Sequence, residues 1–195
     1  YDFIIMVEDD LAKEIIYRLL KKYSLFTNTL IHILPCGGYM NVIDLAHEVV
    51  NSNLVSKPSS IFIVLDGDVE LEAKTYIEKN NISNNIPLNF LPIESLEKYL
   101  KSNLVDNVDH KLFRILNDNI FHQVSLNQIV ADYRSSGAHD NDRNGKKLYG
   151  RIDSELRSRN KSRSEIVEML VDYLINNQDL KVDKIVSFIR DILNK

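Results

Sequence analysis

Cysteine is almost missing from this chain: Cys36 is the only one in 195 residues. No intrachain disulfide can form, and neither can a cysteine-built zinc site. No apolar run approaches the roughly 18–20 residues that span a bilayer, and no signal-peptide pattern is present. The cytosol is therefore the expected compartment. Neither a Walker A pattern nor Gly-x-Gly-x-x-Gly occurs, which excludes nucleotide binding by those devices. Internal repeats and low-complexity tracts are absent, and no strand pattern recurs beyond about residue 104. There is no initial methionine either. Tyr1 stands beside a strand-like run, so a piece of a longer protein is expected.

What is present reads as an ordinary globular chain, 44% apolar and 27% charged. The net charge of −4 argues against general affinity for nucleic acid, but its distribution is uneven. Between Arg143 and Arg163 eight basic residues face two acidic ones, so that segment carries +6 and the remainder −10. An acidic body with a basic strip can hold cations in one part and track phosphates with the other. A solvated helix face is the alternative.

The first hundred residues alternate strand and helix. Strands are predicted at 3–7, 30–34, 61–65 and 87–91, with helices over 11–23, 40–50 and 70–79 and a fourth opening at Ser95. An Asn-rich loop is predicted over 80–85. A βαβαβαβ succession implies a mostly parallel α/β sheet of about four strands, flanked by helices. Runs 3–7 and 61–65 are apolar throughout, as strands buried on both faces are. Five further segments carry helical periodicity: 112–120, 126–133, 147–156, 166–175 and 182–193. A capping box of Ser162 and Glu165 marks one helix start. The expected organisation is an α/β core over 1–104 and an all-helical extension over 105–195, with a polar loop near 135–145.

Two acidic corners follow the two most apolar runs: Glu8-Asp9-Asp10 after the first, and Asp66-Gly67-Asp68 after the third. If both runs are parallel strands, these corners emerge on one sheet edge, where open α/β sheets bind ligands. Carboxylates crowded there repel one another, and a divalent cation such as Mg²⁺ resolves the repulsion.

A glutamate after strand one and an Asp-x-Asp 58 and 60 residues later resembles the Toprim domain, over about residues 1–100. That family covers topoisomerases, primases, recombination mediators and the OLD-type (overcoming lysogenization defect) nucleases fused to ATPases. Leu91-Pro92-Ile93-Glu94-Ser95-Leu96-Glu97 and the lysine-bearing helix start Gly145-Lys146-Lys147-Leu148-Tyr149 are similar to the OLD branch. The resemblance implies a metal-dependent endonuclease or nickase, a hydrolase with two Mg²⁺ or Mn²⁺ ions. Asp66 would lie nearest both, with Glu8, Asp68 and Asp10 completing one site, and Ser95 and Glu97 contributing to the other. Lys147, or alternatively Lys146, would neutralise transition-state charge. Lys146, Arg151, Arg157 and Arg159 are the expected nucleic-acid contacts. DNA is the expected substrate, with RNA open. An N-terminal ABC-type ATPase domain or partner ATPase, a homodimer and a role in phage defence are what the family implies beyond this chain.

One departure stands out. Many Toprim sequences read Glu-Gly-x-x-Asp at the first motif, whereas Ala12 occupies the second acid's place here. Asp9, Asp10 or Glu14 would substitute. Val7-Glu8-Asp9-Asp10 also looks like the start of a phospho-receiver domain, with Asp66 or Asp68 as phosphoacceptor. No Met-Pro-x-x-x-Gly follows, and Leu91-Pro92-Ile93-Glu94 replaces the lysine-proline of that family. A third alternative is a non-catalytic Toprim scaffold module. Cys36-Gly37-Gly38 reads as a turn, or as a place where a phosphate approaches backbone. His139 with Asp140 and Asp142 is a minor metal candidate.

Overall fold

The computed structural model describes residues 2–26, 29–52, 60–82, 85–121, 125–177 and 180–194. The predicted Asn-rich loop therefore falls partly outside the described residues, at Ser83 and Asn84. Four strands, β1 (Phe3–Val7), β2 (Ile31–Pro35), β3 (Ile61–Leu65) and β4 (Leu88–Phe90), form one all-parallel sheet in the order β2-β1-β3-β4. The chain is thus an α/β sheet flanked by helices, with a helical region following it.

Helix α1 (Asp10–Lys22) joins β1 to β2, α2 (Tyr39–Asn51) joins β2 to β3, and α3 (Glu70–Lys79) joins β3 to β4. Ile61, Ile63 and Leu65 of β3 pack with Val42, Ile43 and Ala46 of α2 and Ala73 of α3 on one face. The connection β1–α1–β2 runs across the sheet in the opposite direction, so right-handed crossover puts α1 on the other face. There Leu11, Ile15, Ile16, Leu19 and Leu20 are buried along a single stripe. Every residue of β3 is buried, which is why the run has no polar alternation. Each such side chain contributes about 1.5–3 kcal/mol. Asp9 starts α1: its Oδ1 accepts the N–H groups of Leu11 and Ala12, both at 2.9 Å. Such a cap contributes about 1 kcal/mol.

The chain divides into two compact units, and the division differs from the boundary predicted at residue 104. One unit comprises Tyr1–Glu94 with Asn177–Lys195, and the other is Ser95–Asn176. Helix α9 (Leu180–Leu193) therefore belongs with the sheet rather than with the helical extension. Its Phe188 ring stands edge-on to Phe62 of β3 at 5.9 Å between centroids. Sequence periodicity could not reveal this, because an amphipathic helix does not say which apolar surface it covers.

The helical unit contains α4 (Leu96–Lys101), a π turn at Ser102–Asp106, α5 (His110–Ile120), α6 (Leu126–Ser135), α7 (Lys146–Ser158) and α8 (Arg163–Asn176). Helix α7 packs on α4 and α6, and α5 on α6 and α8. The predicted polar loop is the α6–α7 connection and includes a short 3-10 turn at His139–Asn141. Half of the Ser162–Glu165 capping box is formed, with the Ser162 N–H donating to Glu165 Oε1 at 3.3 Å. Among the described residues no helix is long and apolar enough to cross a membrane.

Candidate functional site

In open α/β sheets, strand order indicates the edge at which ligands bind. From β1 the chain steps to β2 on one side, then returns past β1 to β3 on the other. The carboxyl ends of β1 and β3 therefore flank the topological switch point. Glu8 follows β1 there and Asp66 follows β3. The two acidic corners meet: Glu8 Oε1 accepts the Asp66 backbone N–H at 3.0 Å. A backbone hydrogen bond from Tyr39, at the start of α2, reaches the same carboxylate. The Glu8 carbonyl accepts from Gly37 N–H at 2.9 Å, so the ends of β1, β2 and β3 are tied together around this residue.

Burial is the main influence on the Glu8 carboxyl, and it raises the pKa. The nearby charges of Asp68 and Asp9 push the same way, while the Asp66 and Tyr39 backbone bonds oppose them. The balance leaves Glu8 above its ordinary value. Folding thus favours the neutral form. The stability this provides is fully present below the ordinary glutamate pKa and is lost as pH rises through the elevated folded value. Glu8→Gln keeps an acceptor for the Asp66 N–H and removes the charge. The cation-free variant should therefore melt above the parent at pH 7–8, with the two converging near about pH 4. Thermal unfolding in EDTA across that range checks it; a difference independent of pH would refute the assignment.

Asp66 is 9% exposed, in extended backbone that feeds the 3-10 turn Gly67–Val69. Gly67 has a steric reason to be glycine. Its N–H donates to Ile93 O at 2.8 Å, and a Cβ would lie 2.5 Å from that oxygen and 2.9 Å from Leu91 O. This contact carries Asp66 and Asp68 on either side of a backbone-to-backbone seam. Of the substitutes for the missing second acid, Asp9 is engaged as the α1 cap and Glu14 pairs with Arg18 at 3.0 Å. Asp10 is exposed at the first position of α1.

The donor set Glu8, Asp66, Asp68 and Asp10 is all oxygen, the chemistry that suits Mg²⁺ or Mn²⁺. Among the described residues no three acidic, histidine or cysteine side chains already converge as a cation cage. The chemistry fits, and side-chain rotation would have to complete the geometry. Gly37 has a φ of +95° and Asn41 Nδ2 would lie 3.0 Å from a Cβ there, whereas a Cβ on Gly38 would meet nothing within 4 Å.

The remaining predicted residues belong to the helical unit. Ser95 is the residue before α4, and its side chain makes no cap hydrogen bond there. Glu97 lies in the first turn of α4, and its carbonyl abuts Gly145, which precedes Lys146 and Lys147 of α7. Glu97 and Lys147 thus stand on adjoining elements. Three arginines of the basic strip are held by its two carboxylates. Arg159 pairs with Glu155 at 2.6 Å and Arg157 with Asp153 at 2.9 Å, while Arg163 grips Asp153 at 2.9 and 3.2 Å. Of the His139–Asp140–Asp142 candidate, His139 Nδ1 stays 3.6 Å from Asp140 Oδ1 while its Nε2 faces Asp106 Oδ1 at 3.1 Å, whereas Asp142 is buried and serves α7.

That role of Asp142 escaped sequence reasoning. Its Oδ2 accepts from Lys147 N–H at 3.0 Å, Leu148 N–H at 3.1 Å and the Tyr133 hydroxyl at 3.0 Å. Burial works to raise this carboxyl, but the hydrogen bonds and the Lys147 charge outweigh it and hold it below the usual range. The available signal was an acid just upstream of a helix start.

Comparison of the chain with protein-family models, with curated proteins and with solved structures gives no match.

Proposed function

We propose that Glu8, Asp66 and Asp68 hold a divalent cation and that the protein uses it to hydrolyse nucleic-acid phosphodiesters, as the nuclease portion of an OLD-like, ATPase-linked enzyme. One observation carries the reading. The Glu8 carboxylate contacts Asp66 at the switch point, close enough to Asp68 for that charge to raise Glu8. Such a cluster of acids is strained by its own charge, and a bound cation relieves it.

When bound, Mg²⁺ or Mn²⁺ supplies a hydroxide nucleophile and stabilises the leaving oxygen. Asp66, the most buried of the three, anchors the site. Glu8 is oriented by backbone donors, and Asp68 with Asp10 completes the oxygen set. The resemblance adds Ser95 and Glu97 as ligands of a second ion and Lys147 as the residue that neutralises developing charge. Each of these is tested by its own substitution.

The full chain should nick or linearise supercoiled plasmid with Mn²⁺ and stop when EDTA is added. Asp66→Ala, folded by circular dichroism, should lose on the order of 10³-fold or more of that rate. Undiminished cleavage by the folded variant removes this site assignment.

Strand order favours one other reading, because β2-β1-β3-β4 is also how the flavodoxin-like order 2-1-3-4-5 begins. In a phospho-receiver, Asp66 or Asp68 would accept the phosphoryl group and an acidic pair of Glu8-Asp9-Asp10 would hold Mg²⁺. A hydroxylamine-labile acyl phosphate on Asp66 or Asp68 after exposure to a small phosphodonor would select that reading over the nuclease.

A further inference from the structure

We propose that the groove between α6 and α7 seats the sugar–phosphate backbone of a nucleic-acid strand, with Lys147 and Arg151 as its phosphate contacts. The inference rests on the nucleic-acid reading above and specifies where on the helical unit the strand lies.

The groove has a volume of ≈ 570 Å³ and is lined by Lys147, Gly150, Arg151, Ser154 and Glu155 of α7, Ile129 and Asp132 of α6, and Ala138 of the connecting loop. Lys147 and Arg151 are four residues apart, one helical turn or about 6 Å along the axis, so both cations face the same channel. Successive phosphates of one strand can match that spacing. Between them, Gly150 leaves the floor open, since a Cβ there would meet nothing within 4 Å. Arg151 is oriented in advance: its Nη2 donates to Ser136 Oγ at 2.8 Å. Such a cation loses less freedom on meeting a phosphate than a free side chain would.

The rest of the basic strip competes poorly for this role. Arg157 and Arg159 are paired with Asp153 and Glu155, so a phosphate reaching them must displace a carboxylate. Two carboxylates line the groove as well: Glu155, held by Arg159 at 2.6 Å, and on the opposite wall Asp132, whose Oδ1 accepts from Gln128 Nε2 at 2.8 Å. The Asp132 charge opposes an anionic ligand, and its removal should therefore strengthen binding.

Labelled single-stranded and duplex DNA and RNA oligonucleotides, titrated with the full chain in EDTA, test this without cleavage. Wild type should bind, with affinity falling as salt rises. Arg151→Gln should weaken binding on the order of tenfold and lower the slope of log affinity against log salt by about 0.7. Gly150→Glu should do at least as much, Gly150→Ala should bind as wild type, and Asp132→Asn should bind more tightly. A gain of affinity cannot come from misfolding. The proposal is overturned by a wild-type chain that binds no oligonucleotide, by Arg151→Gln binding as wild type, or by Asp132→Asn failing to tighten. This pattern in a chain that never cleaves upholds the groove and removes the nuclease reading. Cleavage by wild type with binding unaltered in the variants does the reverse.

Discussion

Gly145→Ala should strongly destabilise the helical unit. A Cβ at this position would lie 2.1 Å from the Glu97 carbonyl oxygen, 2.6 Å from its carbon and 3.1 Å from Lys101 Cβ. The first two are backbone atoms of α4 and cannot rotate away. The φ of +72° adds a second cost, because alanine enters the left-handed region at about 1 kcal/mol or more. Overpacking of this kind costs about 1–3 kcal/mol. Together they come to about 2–4 kcal/mol, against roughly 4–12 kcal/mol for a unit the size of Ser95–Asn176. Hydrogen exchange of α4 and α7 amides should accelerate by up to about three orders of magnitude, as that energy implies. Asparagine separates the two costs: it tolerates positive φ but keeps the Cβ, so Gly145→Asn should fail as well. Gly137, with a φ of +68° and open space around it, should accept asparagine. Unchanged exchange in Gly145→Ala would mean that α4 and α7 do not meet at this glycine.

Gly67→Ala should damage both the sheet unit and its proposed chemistry. Here φ makes no demand, and the cost is contact alone: a Cβ at 2.5 Å from Ile93 O and 2.9 Å from Leu91 O. The segment after β4 must move away from the turn after β3, at about 1–3 kcal/mol. Asp66 and Asp68 flank the displaced residue, so Mn²⁺-dependent cleavage should fall further than the urea midpoint does. Gly38→Ala is the control, since its φ of −58° suits alanine and its Cβ would meet nothing. A Gly67→Ala chain with the parent's midpoint and rate would show that the Asp66–Asp68 turn tolerates a shift away from Ile93.

What the sequence made legible follows from how strongly each feature constrains its own residues. The runs 3–7 and 61–65 became β1 and β3 at those residues, because five consecutive apolar side chains leave a short buried strand as the economical solution. The run 87–91 shortened to Leu88–Phe90 in pairing, although Ile63 N–H still donates to Pro87 O and Leu91 N–H to Leu65 O. The meeting of Glu8 and Asp66 was legible because parallel strands deliver their carboxyl ends to one edge. The placement of Ser95 and Glu97 was less so: their spacing after β4 says nothing about which unit their helix joins. The pairing of Arg159 with Glu155 was open to view at four residues apart. The grip of Arg163 on Asp153 needed the turn between α7 and α8, where Asn160 adopts a φ of +58°.

The return of α9 to the sheet has a consequence for synthesis. The ribosome delivers β1 to β4 first, then the whole of Ser95–Asn176, and only then the helix carrying Phe188. At about 5–20 residues per second the apolar surface over Phe62 waits roughly 4–16 s for its cover. During that interval the nascent sheet offers a hydrophobic patch that chaperones must shield, and only faster synthesis of the intervening segment would shorten it.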